Sequence, residues 1–96
     1  MRMRIMVVED DLLLQRSLTQ LLRESGYAVD AETDAGEALI AFELEPVDLV
    51  VLDLRLPGMP GGGVELCRRM REISTETPIL MLTALDSARN KATRLT

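Results

Sequence analysis

The chain has no histidine and no tryptophan, and its 96 residues include one tyrosine and one phenylalanine. Without histidine, a serine–histidine–aspartate triad and any imidazole-based zinc site are excluded. So few aromatic rings offer no stacking platform for single-stranded nucleic acid, and they leave a core built from Leu, Val, Ile, Met and Ala. The single cysteine, Cys67, rules out an internal disulfide. With no second Cys and no His to activate it, Cys67 reads as a small core hydrophobe. Basic residues are in deficit, with 11 Lys and Arg against 16 Asp and Glu and a formal charge of −5. That balance lacks the footprint of a nucleic-acid binder and suits an anionic membrane poorly. No apolar run approaches the length of a membrane span, and Met1 to Val8 is too short and too charged for a secretory signal. These absences point to a cytoplasmic domain that touches neither nucleic acid nor membrane directly.

What is present is a globular composition, 47% hydrophobic and 28% charged. It predicts one small domain over residues 1–96 rather than a disordered chain. The most informative stretch is Val47 to Gly63, VDLVVLDLRLPGMPGGG. Val47, Leu49, Val50, Val51 and Leu52 are interrupted only by Asp48, too continuous for a strand with one wet face. They predict a parallel strand covered on both sides by helices. The run stops at Asp53, followed by Pro57, Gly58, Pro60 and Gly61 to Gly63, a loop-making cluster. Asp53 then lies at the carboxyl end of a buried strand, where open α/β sheets bind ligands. An Asp in such a place also serves simply to close a strand or cap a turn.

The rest of the chain repeats the alternation. Met3 to Val8 predicts a first strand, ending in Glu9, Asp10 and Asp11. Leu14, Leu18, Leu21 and Leu22 have helical spacing, with Gln15, Arg16, Gln20 and Arg23 expected opposite them. Asp11 is the expected N-cap and Gly26 the stop. Tyr27 to Thr33 alternates as a more exposed edge strand. Asp34 opens a second helix whose Ala38, Leu39, Ala41 and Phe42 face the sheet, and Pro46 ends it. After the glycines, Val64, Leu66, Cys67 and Met70 predict a third helix packed on the sheet. Ile79 to Leu82 predicts a fourth strand ending at Thr83, and Asp86 to Leu95 the start of a further helix. Right-handed crossovers wind such a β-α-β-α-β-α-β-α chain into an open parallel sheet with helices on both faces.

All strands of a parallel sheet point the same way, so Glu9 and Asp10, Asp53 and Thr83 share one rim. Carboxylates converging from separate strands repel one another unless they are protonated or bridged by a cation. A hard divalent ion such as Mg²⁺ answers that need with oxygen ligands. A carboxylate there can also act as a nucleophile and form an acyl phosphate.

Across IMVVEDD (Ile5 to Asp11), LLRESGY (Leu21 to Tyr27), DLVVLDLRLPG (Asp48 to Gly58) and TPILMLTA (Thr77 to Ala84), the sequence resembles the receiver domains of bacterial two-component response regulators. The resemblance implies a flavodoxin-like, doubly wound parallel α/β sheet of order 2-1-3-4, with the fifth strand missing. It implies Asp53 as the phosphoacceptor, served by a sensor histidine kinase or a small phosphodonor such as acetyl phosphate. Asp10 and Asp53 would hold Mg²⁺ directly, Glu9 mainly through a water, and Arg55 through its backbone carbonyl. Thr83 would be the switch hydroxyl. The exposed side of the first helix (Leu13, Arg16, Ser17, Gln20) is the candidate kinase-docking surface, its alternative being an ordinary solvated face.

Two departures from the family pattern stand out. The LPGMPGGGVEL loop is longer than usual, and its extra glycines suggest a flexible wall to the pocket. The family's fifth strand with its aromatic residue, the Lys-Pro pair and the fifth helix do not appear before Thr96. On this reading the receiver is incomplete at its C-terminus. The bare fourth-strand edge then offers a route to a homodimer or strand-swapped dimer, and an apolar patch lies beside the first helix. The functional expectation is a phosphorylation-dependent signalling switch, not a turnover enzyme, that regulates transcription through a separate output domain. Its alternatives are a phosphorylation-independent pseudo-receiver or inert fragment acting only through protein contacts, and a phosphohydrolase. Arg55 counts against the last, since it occupies the place of that class's usual second Asp.

Overall fold

The computed structural model describes residues 2–82, in which four strands alternate with three helices. These are β1 (Arg4–Val8), α1 (Leu12–Glu24), β2 (Ala28–Glu32), α2 (Ala35–Leu44), β3 (Leu49–Leu52), α3 (Gly62–Ile73) and β4 (Ile79–Met81). The strands form one sheet of order β2-β1-β3-β4, and every neighbouring pair is parallel. This is the flavodoxin-like order that the resemblance to receiver domains implies. The expected helix over Asp86 to Leu95 lies outside the described residues.

β1 and β3 are central and read as nearly continuous apolar runs because both of their faces are covered. Successive side chains point to opposite faces. Met6, Val8, Val50 and Leu52 meet Ala35, Ala38 and Phe42 of α2 and Leu66 and Met70 of α3. Ile5, Val7, Val29 and Val51 form the other cluster, with Leu18 and Leu22 of α1 against it. The sheet is thus doubly wound. β2, at one edge, is only partly buried and shows the looser alternation its sequence predicts.

Helix starts follow the expected signals. Asp11 caps α1, its carboxylate accepting from Leu13 N at 3.0 Å and Leu14 N at 3.2 Å. Gly26, at φ +100°, supplies the left-handed residue past the end of α1. Asp34 caps α2 by accepting from Glu37 N at 2.9 Å.

Two expectations about helix faces are corrected. The buried face of α1 is Gln15 and Thr19 flanked by half-buried Leu18 and Leu22, whereas Leu14 and Leu21 are 38% and 59% exposed. Gln15 turns inward because its amide reaches backbone carbonyls at the ends of β1 and β2, a demand that no apolar pattern reveals. In α3, Val64 is exposed, and Leu66 and Met70 carry the burial with Cys67 half-buried beside them. The helix starts at Gly62, inside the glycine run rather than after it, so Val64 falls on the outer side of its first turn.

Candidate functional site

Val8 is in register with Leu52 on one side and Glu32 on the other, so β1 and β3 end level. The ladder continues one residue further, with Asp53 N donating to Val8 O and Glu9 N donating to Glu32 O, both at 3.0 Å. Glu9, Asp10 and Asp53 therefore emerge side by side from adjacent strands. One carboxylate oxygen from each lies within 4.8 Å of the others. Leu82 N donates to Leu52 O at 2.7 Å, bringing the end of β4 level with the same rim. Thr83, the expected switch hydroxyl, lies outside the described residues.

The three acids sit in different surroundings. Glu9 is buried at 2% exposure, Asp53 is half-buried and Asp10 is exposed. Burial pushes the Glu9 carboxyl up to about 7, and the neighbouring charges of Asp53 and Asp10 push the same way against one stabilising hydrogen bond from the backbone of Asp11. That bond, Asp11 N to Glu9 Oε2, is 3.0 Å long. A buried carboxyl held near neutrality beside two others, with oxygen donors only, fits a hard divalent cation. Two ligand oxygens on an ion with bonds of about 2.1 Å lie at most about 4.2 Å apart. Three oxygens within 4.8 Å of one another stand close to that limit, as a shared cation requires.

The loop after β3 forms the wall of this pocket. Arg55 N donates to Asp53 Oδ1 at 3.1 Å, which folds the loop over the carboxylate. Gly63 N donates to Leu54 O at 2.7 Å and Gly62 N to Met59 O at 3.0 Å. Gly63 is buried, and a Cβ there would run into the Asp53 carbonyl; one at Gly62, at φ +58°, would crowd Leu54 O. The expectation of a slack glycine wall is corrected. These glycines let the start of α3 press directly on the peptide bearing Asp53. The loop is also fastened to α2, with Ala35 N donating to Pro57 O at 2.8 Å and Gly58 packed on the Asp34 carboxylate. Sequence reasoning missed both contacts and the inward Gln15. The only sequence trace of the first was the run of glycines itself.

The expected docking residues on α1 are all exposed, with Leu13 at 79%. Among the described residues no helix is long and apolar enough to cross a membrane.

A doubly wound parallel sheet with three acids gathered at the carboxyl ends of its two central strands defines a flavodoxin-like α/β domain with an acidic rim, and comparison with known proteins gives it a family. Residues 5–96 match the family model of the response regulator receiver domain. The chain belongs to that family. It is 39% identical over 95 residues to the response regulator MprA of Mycolicibacterium vanbaalenii, covering 99% of this chain and 40% of that protein. It is 44% identical over 89 residues to the two-component response regulator PhoP of Pseudomonas aeruginosa, covering 93% of this chain and 39% of that protein. The chain thus spans about two-fifths of the length of these curated relatives. Among solved structures, a CheY-like receiver domain protein from Methanospirillum hungatei superposes with a TM-score of 0.79 at 32% identity. That match covers 84% of this chain and 63% of the other. The non-phosphorylated HemR receiver domain of Leptospira biflexa matches with a TM-score of 0.76 at 35% identity, covering 83% of this chain and 63% of its own.

Proposed function

We propose that this receiver domain is the phosphorylation-dependent switch of a two-component system, with Asp53 as its phosphoacceptor. The observation that carries this reading is the meeting of Glu9, Asp10 and Asp53 within 4.8 Å at one rim. An Asp53 oxygen attacks the phosphorus of a kinase phosphohistidine or of acetyl phosphate. The bond to the donor breaks as the acyl phosphate forms, and the phosphohistidine imidazole or acetate leaves. Asp10, Asp53, Glu9 and the Arg55 backbone carbonyl would hold Mg²⁺, which would supply positive charge for the phosphoryl oxygens. The chain's own residues supply position. The Arg55 N–H fixes one Asp53 oxygen, and Gly63 fixes the peptide behind it. Thr83 is assigned the switch hydroxyl on the sequence resemblance.

The chemistry is a single transfer to the protein itself, so the domain is a signalling module in the cytoplasm and not a turnover enzyme. The exposed α1 face at Leu13, Arg16, Ser17 and Gln20 is the surface proposed to meet the histidine kinase. In a protein extending beyond the receiver as MprA and PhoP do, its output is transcriptional regulation, with DNA contacts made elsewhere in the chain.

The test is intact-mass spectrometry after incubation with acetyl phosphate and Mg²⁺, on the wild-type chain and Asp53→Asn. One phosphoryl adduct, absent from the variant, is the expected result. A folded wild-type protein that takes no adduct and does not respond to beryllofluoride with Mg²⁺ would instead be a pseudo-receiver.

A further inference from the structure

Gln15 belongs to neither the acid cluster nor the apolar core, yet it is 8% exposed and points at the site from behind. Its Nε2 donates to Glu9 O at 3.1 Å and to Glu32 O at 3.0 Å. Glu32 O also accepts from Glu9 N at 3.0 Å. These three bonds close a ring that holds Glu9 by both its N–H and its C=O. The ring ties the end of β1 to β2 and to the first turns of α1. The same turn is fastened again by Gln15 N to Asp11 O at 2.9 Å and by Asp11 N to Glu9 Oε2 at 3.0 Å. The Glu9 carbonyl belongs to the peptide that leads into Asp10. Where that peptide turns decides where two of the three acids point.

Resting on the reading of Glu9, Asp10 and Asp53 as the cation pocket, we propose that Gln15 is a positioning residue for that pocket: its buried carboxamide sets the orientation of the Glu9–Asp10 peptide and hence the affinity for a divalent cation. It touches neither cation nor substrate. The geometry is specific, since one side-chain nitrogen must reach carbonyls on two different strands. Loss of an outer partner that orients metal ligands characteristically lowers affinity about 10- to 100-fold.

The experiment is Mg²⁺ titration by isothermal calorimetry on the wild-type chain, Gln15→Met and Gln15→Asn. Met keeps the length without a donor; Asn keeps the donor but falls one methylene short. Thermal unfolding in EDTA is followed alongside, and phosphorylation by acetyl phosphate is measured as a function of Mg²⁺. We expect Gln15→Met to raise the Mg²⁺ dissociation constant about tenfold, with Gln15→Asn in between. The Mg²⁺ concentration for half-maximal phosphorylation should rise by the same factor, so that the loss falls on binding more than on maximal rate. Variants that melt earlier in EDTA but bind Mg²⁺ as tightly as wild type would overturn the proposal, leaving Gln15 a filler of buried acceptors. If Gln15→Met does not fold, Gln15→Asn decides by the same criterion. A wild-type chain that binds no Mg²⁺ overturns the cation pocket and this inference together. One that binds Mg²⁺ but takes no phosphoryl group overturns only the phosphoacceptor reading, and the affinity comparison still decides the role of Gln15.

Discussion

The two faces of the sheet are built on different principles. Beneath α2 and α3, the buried cluster of Met6, Val8, Ala35, Ala38, Phe42, Val47, Val50, Leu52, Leu56, Leu66 and Met70 is wholly apolar. Beneath α1, four buried apolar strand residues meet a helix whose own buried residues are Gln15 and Thr19. The first face holds the domain together through area removed from water. The second gives up part of that area to polar groups at the strand ends, where the acids are mounted. The apolar face supplies the larger buried cluster and backs Asp53 through Gly63, and the α1 face fastens the end of β1 that carries Glu9 and Asp10.

The sharpest way to break that contrast is to truncate a leucine on each side. Leu66, at 0% exposure, is enclosed by the larger cluster, and Leu66→Ala should cost about 2–5 kcal/mol through lost burial and an unfilled cavity. Leu18 is half-buried against the smaller one, and Leu18→Ala should cost about 1 kcal/mol. Urea unfolding of both variants measures the difference. Equal losses would mean that the α1 face carries as much of the fold as its partner.

The difference between the faces also decides what was legible in the sequence. The alternation of strands and helices, the caps at Asp11 and Asp34 and the rim shared by Glu9, Asp10 and Asp53 follow from apolar runs punctuated by acids, glycines and prolines, whereas the strand order came from the resemblance to receiver domains. α2 was read correctly because its contacts are apolar: Ala38 and Phe42 pack where periodicity puts them. On α1 the same rule placed Leu18 and Leu22 but also claimed Leu14 and Leu21, and it turned Gln15 outward because its partners are backbone carbonyls at the strand ends. In α3, periodicity placed Leu66 and Met70 but also claimed Val64. The glycine run looked like slack because a sequence does not show how closely Gly63 approaches Asp53 O. Hydrophobic spacing locates a core, but it does not locate a side chain held by a polar demand.

Titration offers the next test, because the acids stand on the strand shared by both faces. Glu9 is raised from 4.5 to about 7 chiefly by burial, so the folded state prefers its protonated form. Its contribution is complete below the unfolded value of 4.5 and is lost as pH rises through about 7. At about 1.4 kcal/mol per unit, the metal-free protein should lose roughly 3 kcal/mol between pH 4.5 and 8, seen as a falling urea midpoint. Glu32, raised by burial and by Glu37 and Asp30, adds to that slope in the same direction. Glu9→Gln should remove most of the slope. Mg²⁺ should stabilise wild type more at pH 8 than at pH 5, since protons compete for the same oxygens. A flat profile in EDTA would mean that Glu9 is ionised at little cost.

Gly63 joins the apolar face to the site, so Gly63→Ala asks whether packing and chemistry are coupled. The added Cβ has nowhere to go but into the Asp53 carbonyl and Leu54 Cα. Overpacking of this kind costs about 1–3 kcal/mol. Because the atom displaced belongs to the phosphoacceptor peptide, phosphorylation by acetyl phosphate should slow at least tenfold, roughly the effect of a misplacement of well under 1 Å. Gly26→Ala is the contrast. It strains a left-handed residue of its own, at φ +100° with open space around it, and should lower stability without slowing phosphorylation. If Gly63→Ala lowered stability but left the rate intact, the start of α3 would be packing alone.

The smallest effect belongs to Thr19, and it should be of opposite sign. Its Oγ1 is buried without a hydrogen-bond partner among the described residues, one turn from a glutamine whose Nε2 donates to two carbonyls. A buried hydroxyl without a partner keeps its desolvation cost and gains nothing in return. Thr19→Val replaces it with a methyl of the same shape and should stabilise the domain by about 1 kcal/mol, measured by urea unfolding. Gln15 keeps both its carbonyls in that variant, so Mg²⁺ affinity should not follow the gain in stability. Loss of stability instead would show that the Thr19 hydroxyl has a working partner, a bound water included, and that both buried polar groups of α1 serve the strand ends. A gain in stability with unaltered Mg²⁺ affinity confines that service to Gln15, and separates the polar residue that aims the site from the one that merely lies beside it.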